Sequence, residues 1–149
     1  MPKNIVDAYR NAVNGSDDAN FSEVIAFCEN DKKCQDDNSL KKNTLMYWSY
    51  KKIAMFYEKN KRYKQAYLFW QKAFDFANTS DIRIKIGYKM LDAVNNIKTS
   101  MSEKAADIVK IATGMQKEYN LQGNEEKSLQ MLKLQKTAEK LLKKSKALH

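Results

Sequence analysis

Apolar side chains recur every three or four residues along most of this chain, in seven segments separated by short polar breaks. This spacing places the apolar side chains on one face of an α-helix. With only 4 Gly and 1 Pro, the chain has little of the turn chemistry that β-hairpins need. We therefore predict an all-α protein with a polar, mobile loop at about 30–43. The seven helices are predicted at about 3–14, 19–30, 41–59, 62–78, 81–98, 101–121 and 124–147.

Residues 82–90 carry a second pattern, because apolar and polar side chains alternate there as in a half-buried β-strand. Beyond this segment Met90, Val94 and Ile97 resume helical spacing. A lone strand would also leave its backbone groups without partners. We therefore interpret residues 82–90 as part of the fifth helix.

Residues with N-cap chemistry stand at two of the predicted helix starts. Thr79, Ser80 and Asp81 precede the fifth helix, and their side chains can accept hydrogen bonds from free backbone N–H groups. Ser100 followed three residues later by Glu103 is typical of a capping box before the sixth helix. These residues support the predicted boundaries.

The densest aromatic stretch, residues 47–80, carries an ordered pattern in two halves. The first half has Tyr50, the pair Ile53 and Ala54, and then Tyr57, and the second half has Ala66, Trp70 and Ala73. This pattern resembles one tetratricopeptide repeat, a helix–turn–helix unit of about 34 residues. Small Ala66 and Ala73 would let two helices approach closely, while Trp70 fills the space around them. The resemblance implies that Trp70 is a structural residue.

The neighbouring segments repeat this pattern less closely. Ile86, Gly87 and Met90 match the first half, and Ala105, Val109 and Ala112 match the second. The spacing between these halves is about six residues too long, which implies longer helices than a usual repeat has. In the first pair of helices only Val24 and Cys28 match.

The resemblance implies one helical domain over 1–149, built as a three-repeat array of antiparallel helix pairs with a C-terminal capping helix. Its segments are 1–38, 39–80, 81–123 and 124–149. The last helix has an apolar stripe and lysines on its other faces, which is also typical of helices that bind membranes or a partner helix. We favour the interpretation as a capping helix, because membrane-binding helices usually have Trp or Phe on the apolar face and this stripe has neither. The stripe consists of Met131, Leu134, Ala138, Leu141 and Leu148.

In tetratricopeptide arrays the first helices of the pairs line a concave groove that receives a peptide or a helix of a partner. The register of the repeat places Trp48, Lys51, Met55, Glu58 and Lys59 toward this groove, so Trp48 should be more exposed than Trp70. The looser register of the next pair places Ile84, Tyr88, Leu91 and Asp92 there. The fifth helix has a second apolar face, which either packs on the neighbouring pair or serves a ligand. The candidate site residues are Trp48, Lys51, Met55, Lys59, Ile84, Tyr88 and Leu91.

The net charge of +9 is unevenly distributed. Residues 1–40 carry four basic and eight acidic side chains, a net charge of −4, whereas residues 41–149 carry +13. Such a field attracts anionic partners. Of the 27 basic residues 24 are Lys, and bidentate recognition of bases and phosphates favours Arg. The alternative function is that of a Lys-rich helical protein associated with RNA or DNA. Weak, nonspecific nucleic-acid binding is also expected from the basic surface.

No combination of residues indicates catalysis. The only His is His149, no Gly-rich phosphate loop occurs, and Cys28 and Cys34 alone cannot form a zinc site. We expect no enzymatic activity, cofactor or metal, and we expect both cysteines to be reduced in a helix and a loop, with a regulatory disulfide as the alternative. No membrane span or secretory signal is present, which predicts a cytoplasmic protein. The expected function is a protein-binding adaptor, chaperone or regulatory subunit.

Overall fold

The computed structural model describes residues 2–15 and 17–147, which form eight α-helices and one 3₁₀ turn, Asp18–Phe21. No strand occurs among these residues, which confirms the all-α prediction. Residues 82–90 are helical, as predicted. The helices are α1 (Ile5–Val13), α2 (Ser22–Asn30), α3 (Lys32–Gln35), α4 (Leu40–Lys59), α5 (Tyr63–Phe76), α6 (Ser80–Asn96), α7 (Met101–Leu121) and α8 (Glu125–Ala147).

Side-chain caps define the starts of α4, α6 and α7. Ser39 Oγ accepts from the backbone N–H of Lys42 (3.2 Å) and so begins α4. Thr79 caps α6 and Ser100 caps α7 in the same way, as predicted for both residues. Each cap satisfies one of the N–H groups that a helix start leaves without an intrahelical partner.

The predicted loop at 30–43 is wrong in part, because it contains the short helix α3. Asp31 Oδ1 accepts from the backbone N–H of Lys33 (3.0 Å) and caps this turn. Cys34, expected in the loop, lies within α3 and is buried. A single buried side chain in a polar segment gives no periodic pattern, so this helix could not be recognised from the sequence.

The chain divides into two compact units, Met1–Asn78 and Thr79–His149. The boundary between the units falls where α6 begins, whereas residue 80 was predicted as a boundary between two helix pairs of one domain. The single-domain arrangement stays a prediction, and each unit is described by itself.

In the first unit, α4 packs against α5 and α2 packs against α4. Ala54, Ala66 and Ala73 are fully buried, and Trp70 is 1% exposed. The indole Nε1 of Trp70 donates to Glu58 Oε2 at 3.0 Å. Small side chains at the helix contacts and one large aromatic beside them therefore form the core of this unit, and the predicted burial of Trp70 is confirmed.

In the second unit, α7 packs against both α6 and α8. Ala105 and Ala112 are fully buried on α7. Met131 and Ala138 of the predicted α8 stripe are buried, and Leu134 and Leu141 are half-buried. The last member, Leu148, lies outside the described residues. None of the helices in the described part of the chain combines the length and apolarity needed to cross a membrane.

A buried carboxylate joins α7 to the first turns of α6. Glu118 is 4% exposed, and its Oε2 accepts from the Ser80 hydroxyl at 2.7 Å. The Arg83 guanidinium donates to Glu118 Oε1 at 3.4 Å. These two partners compensate the cost of burying the carboxylate.

Replacing Arg83 by Met should lower the free energy of unfolding by about 1–2 kcal/mol. The substitution keeps most of the aliphatic stem but removes one hydrogen-bond donor from the buried Glu118. The cost is limited because the Arg83 side chain is 33% exposed and its charge is partly screened. Urea unfolding measures the change. Lys85→Met, at an exposed position of the same helix, is the control, and equal losses in both variants would contradict a role for the buried carboxylate.

Candidate functional site

One face of α4 presents two large apolar side chains to solvent. Trp48, Lys51, Met55 and Lys59 follow one another at intervals of three or four residues, which places them on a single helix face. Trp48 is 45% exposed and Met55 is 41% exposed, whereas Trp70 in the core is 1% exposed. The predicted difference between the two tryptophans is therefore confirmed. Lys59 is exposed and Lys51 is half-buried.

Helix α1 extends this apolar face. The Tyr9 ring lies 5.8 Å from the Trp48 ring and 5.4 Å from the Phe21 ring, centroid to centroid. Val13, one turn further along α1, is 55% exposed. We call Tyr9, Val13, Trp48 and Met55 the α1–α4 patch. Tyr9 and Val13 were not among the predicted site residues, because α1 shows no repeat signature to place it beside α4.

The α4 side of the α1–α4 patch is basic. Lys51, Lys52 and Lys59 lie on the same side of α4 as Trp48 and Met55. The nearest acid on α4, Glu58, accepts the hydrogen bond from the Trp70 indole in the core. Burial raises the pKa of the Tyr9 hydroxyl, so this side chain stays neutral at physiological pH. The arrangement therefore favours a ligand that combines apolar and acidic groups.

The predicted residues of α6 belong to the second unit and differ in accessibility. Ile84 is buried, Leu91 is half-buried, and Tyr88 is 43% exposed. The Tyr88 hydroxyl lies 2.9 Å from the Tyr119 hydroxyl. Burial and this hydrogen bond raise the pKa of Tyr119 to about 12. Tyr88 and Leu91 thus offer surface to a ligand, while Ile84 offers little.

A groove with a volume of about 430 Å³ lies between α2 and α5. It was not predicted from the sequence. Its walls are largely apolar, and Glu29 and Lys72 contribute opposite charges. Leu68 is 53% exposed here, and burial raises the pKa of Tyr50 to about 12. We call this the α2–α5 groove. Its lining includes Ile25, Ala26, Tyr50, Leu68 and Phe69.

One feature of the sequence could have indicated this groove. Ala66, Trp70 and Ala73 define the packing face of α5, and Leu68 falls off that face. A large apolar residue outside the packing register is a candidate for a ligand surface. Such residues are common on protein surfaces, so Leu68 alone did not distinguish the groove.

The two cysteines lie in adjacent buried positions of the first unit. Both are free thiols, Cys28 in α2 and Cys34 in α3. Burial raises the pKa of Cys34 to about 12, and hydrogen bonding with Cys28 adds to the rise. Cys34 therefore stays a protonated thiol at neutral pH and is a weak nucleophile. The nearby Lys42 is buried, with its ammonium 5.4 Å from the centre of the Phe76 ring.

No protein-family model, curated protein or solved structure matches this chain.

Proposed function

We propose that this protein is a tetratricopeptide-like interaction module that binds a peptide or helix of a partner protein. The repeat positions of the best-matching pair support this proposal. Ile53, Ala54, Ala66, Trp70 and Ala73 are each at most 2% exposed. In the looser pair, Ala105 and Ala112 are fully buried, as the same register requires.

The connections between helices support an arrangement in antiparallel pairs. Three residues separate α4 from α5, and four separate α6 from α7. Connections of this length usually join antiparallel neighbours. In our proposal α1 and α2 form a degenerate first pair, and α8 acts as the capping helix of a three-repeat array.

The exposed aromatic and basic face of α4 is the observation that carries the binding proposal. Trp48 and Met55 are two turns apart on one face, and Tyr9 extends this face onto α1. Trp side chains are enriched among the residues that contribute most to protein interfaces, and Met adapts to varied apolar partners. A partner with apolar side chains flanked by Asp or Glu would complement the patch and its lysines.

A role as adaptor, chaperone or regulatory subunit follows from such a surface. Binding a partner segment requires no chemical step. The absence of enzymatic activity and the cytoplasmic location remain predictions from the sequence.

Trp48→Ala should weaken the binding of an acidic amphipathic peptide roughly tenfold or more. The peptide would be selected from a library in which leucines at i and i+4 are fixed and the acidic content varies. Calorimetric titration measures the affinity. The fold should be retained, because Trp48 is 45% exposed and its loss opens no internal cavity.

Leu68→Ala is the matched control, since Leu68 is similarly exposed but lines the α2–α5 groove. This variant should bind the selected peptide as the parent does. Loss of binding in Leu68→Ala with full binding in Trp48→Ala would move the site to the α2–α5 groove. A library that yields no peptide at all, or only basic peptides, would refute the proposed function.

A further inference from the structure

The solvent face of α8 carries a continuous row of lysines. At 100° per residue, five Lys side chains fall within an arc of about 100°, over an axial length of about 16 Å. All five are exposed. We call this row the lysine stripe, and it consists of Lys133, Lys136, Lys140, Lys143 and Lys144.

One acidic side chain, Glu139, lies beside the middle of the stripe, and two others lie beyond its N-terminal end. Glu139 falls outside the arc, is half-buried, and accepts a hydrogen bond from the Gln135 amide at 3.1 Å. Glu125 and Glu126 lie within the arc but in the first turn of α8, about 10 Å or more along the axis from Lys133. At physiological ionic strength a Debye length is about 8 Å, so these acids offset little of the charge of the stripe.

The contact between α8 and α7 leaves the stripe as the accessible surface of α8. Met131 and Ala138 are buried, and α8 packs on α7. The opposite face therefore has lysines with one large exposed apolar residue, Leu129. The rotation of α8 about its axis is set by this packing, so the stripe is held outward.

We propose that the lysine stripe binds the phosphate backbone of a nucleic acid without reading its sequence. A nucleic-acid strand is a linear row of negative charges, and the stripe is a linear row of positive charges with about one Lys per turn of helix or more. Lys acts as a point charge toward phosphate and lacks the planar geometry with which Arg reads bases, so sequence preference is not expected.

Two other polyanionic partners fit the stripe less well. A lipid bilayer takes up an apolar helix face as well as basic side chains. The apolar face of α8 packs on α7 instead, where Met131 and Ala138 are buried and the leucines beside them are half-buried. An acidic protein segment would need an apolar centre to form a stable interface, and among the described side chains of α8 Leu129 is the one large apolar residue that is exposed. Binding here is separate from the α1–α4 patch, so this proposal goes beyond the function proposed above.

The test measures binding of the full chain to a fluorescent oligothymidine of about 20 nucleotides across a range of salt concentrations. The stripe variant is Lys136→Gln, Lys140→Gln and Lys143→Gln together. The control variant is Lys64→Gln, Lys85→Gln and Lys110→Gln, three exposed lysines outside the stripe. Each variant loses three positive charges, so the two have the same net charge. Gln is a good helix former, so the substitutions should leave the helices intact.

The stripe variant should bind roughly tenfold or more weakly at low salt, and its slope of log affinity against log salt should fall by about 2. The control variant should bind within about threefold of the parent. Oligoadenosine should give the same pattern. Circular dichroism and thermal melting test whether each variant is folded. If the triple variant does not fold, the single substitution Lys140→Glu is used to test the stripe instead.

Three results would overturn the proposal. Equal loss in the stripe and control variants would show that net charge alone drives binding. A polyglutamate peptide of equal charge that binds as tightly as the oligonucleotide, with the same loss in the stripe variant, would indicate an acidic protein partner. Tighter binding to vesicles that contain phosphatidylserine than to the oligonucleotide would indicate a membrane surface.

Discussion

Replacing Trp70 by Ala should lower the free energy of unfolding by about 3–5 kcal/mol. The side chain is 1% exposed, so the substitution leaves a large cavity lined by the core of the first unit. It also removes the indole donor to Glu58 Oε2 at 3.0 Å, a hydrogen bond that ties α5 to the end of α4. Chemical denaturation followed by circular dichroism measures the loss.

Two further variants distinguish the contributions to this loss of stability: the cavity, the lost hydrogen bond, and the general effect of removing a tryptophan. Trp70→Phe keeps most of the apolar volume but lacks the Nε1 donor, so its loss should be clearly smaller than that of Trp70→Ala. Trp48→Ala removes an equal side chain that is 45% exposed and should cost less than about 1 kcal/mol. Similar destabilisation in Trp48→Ala and Trp70→Ala would show that the repeat register is wrong.

Replacing Gly87 by Val should destabilise the second unit by about 3 kcal/mol. A Cβ at this position would lie 2.5 Å from Met115 Cγ and 2.7 Å from Met115 Sδ. Met115 is fully buried, so its side chain has no solvent to move into. Valine gains little helix propensity over glycine, so the steric cost dominates. Thermal and urea unfolding measure the change.

A double-mutant cycle tests whether Met115 is the cause. Met115→Ala alone should cost about 2–5 kcal/mol, because it leaves a cavity. In the double variant Gly87→Val with Met115→Ala, the added methyl groups occupy that cavity. The combined loss should therefore be smaller than the sum of the single losses by about 1 kcal/mol or more. Additive losses would mean that the close approach of Gly87 to Met115 does not limit the packing of α6 on α7.

The helices were predictable from the sequence because their determinants are local. Apolar spacing and the caps at Thr79 and Ser100 act within one or two turns, and the observed starts of α6 and α7 agree with them. The burial of Trp70 and the exposure of Trp48 were also predicted, and both agree with the helix faces that the proposed repeat register assigns to packing and to solvent. Helix α3 was not predicted, because Cys34 is its single buried side chain and one buried residue gives no periodic pattern.

The candidate site was predicted only in part. Its α4 residues follow from the register, but the contact of Tyr9 with Trp48 joins residues far apart in the chain and depends on the docking of α1. Ile84 was assigned to the binding face through a looser match, and it is 8% exposed. The α2–α5 groove depends on the distance between two helices that no local pattern determines.

In our two proposals, the basic side chains of residues 41–149 have two different roles. The lysines of α4 flank exposed apolar side chains, as a protein partner requires. The lysines of α8 lie next to one another, on a face where Leu129 is the one large exposed apolar residue among the described side chains. The same residue type can therefore serve different partners, according to what surrounds it.

Mapping the selected peptide onto the protein by NMR tests the binding proposal most directly. Backbone amide shifts of the labelled full chain would be followed as the peptide is added. We predict that the largest changes cluster at residues 48, 51, 55 and 59 of α4 and at Tyr9 on α1, with little change along the lysine stripe. Changes centred on the α2–α5 groove or on α8, with α4 unaffected, would contradict the proposal that the exposed face of α4 is the binding surface.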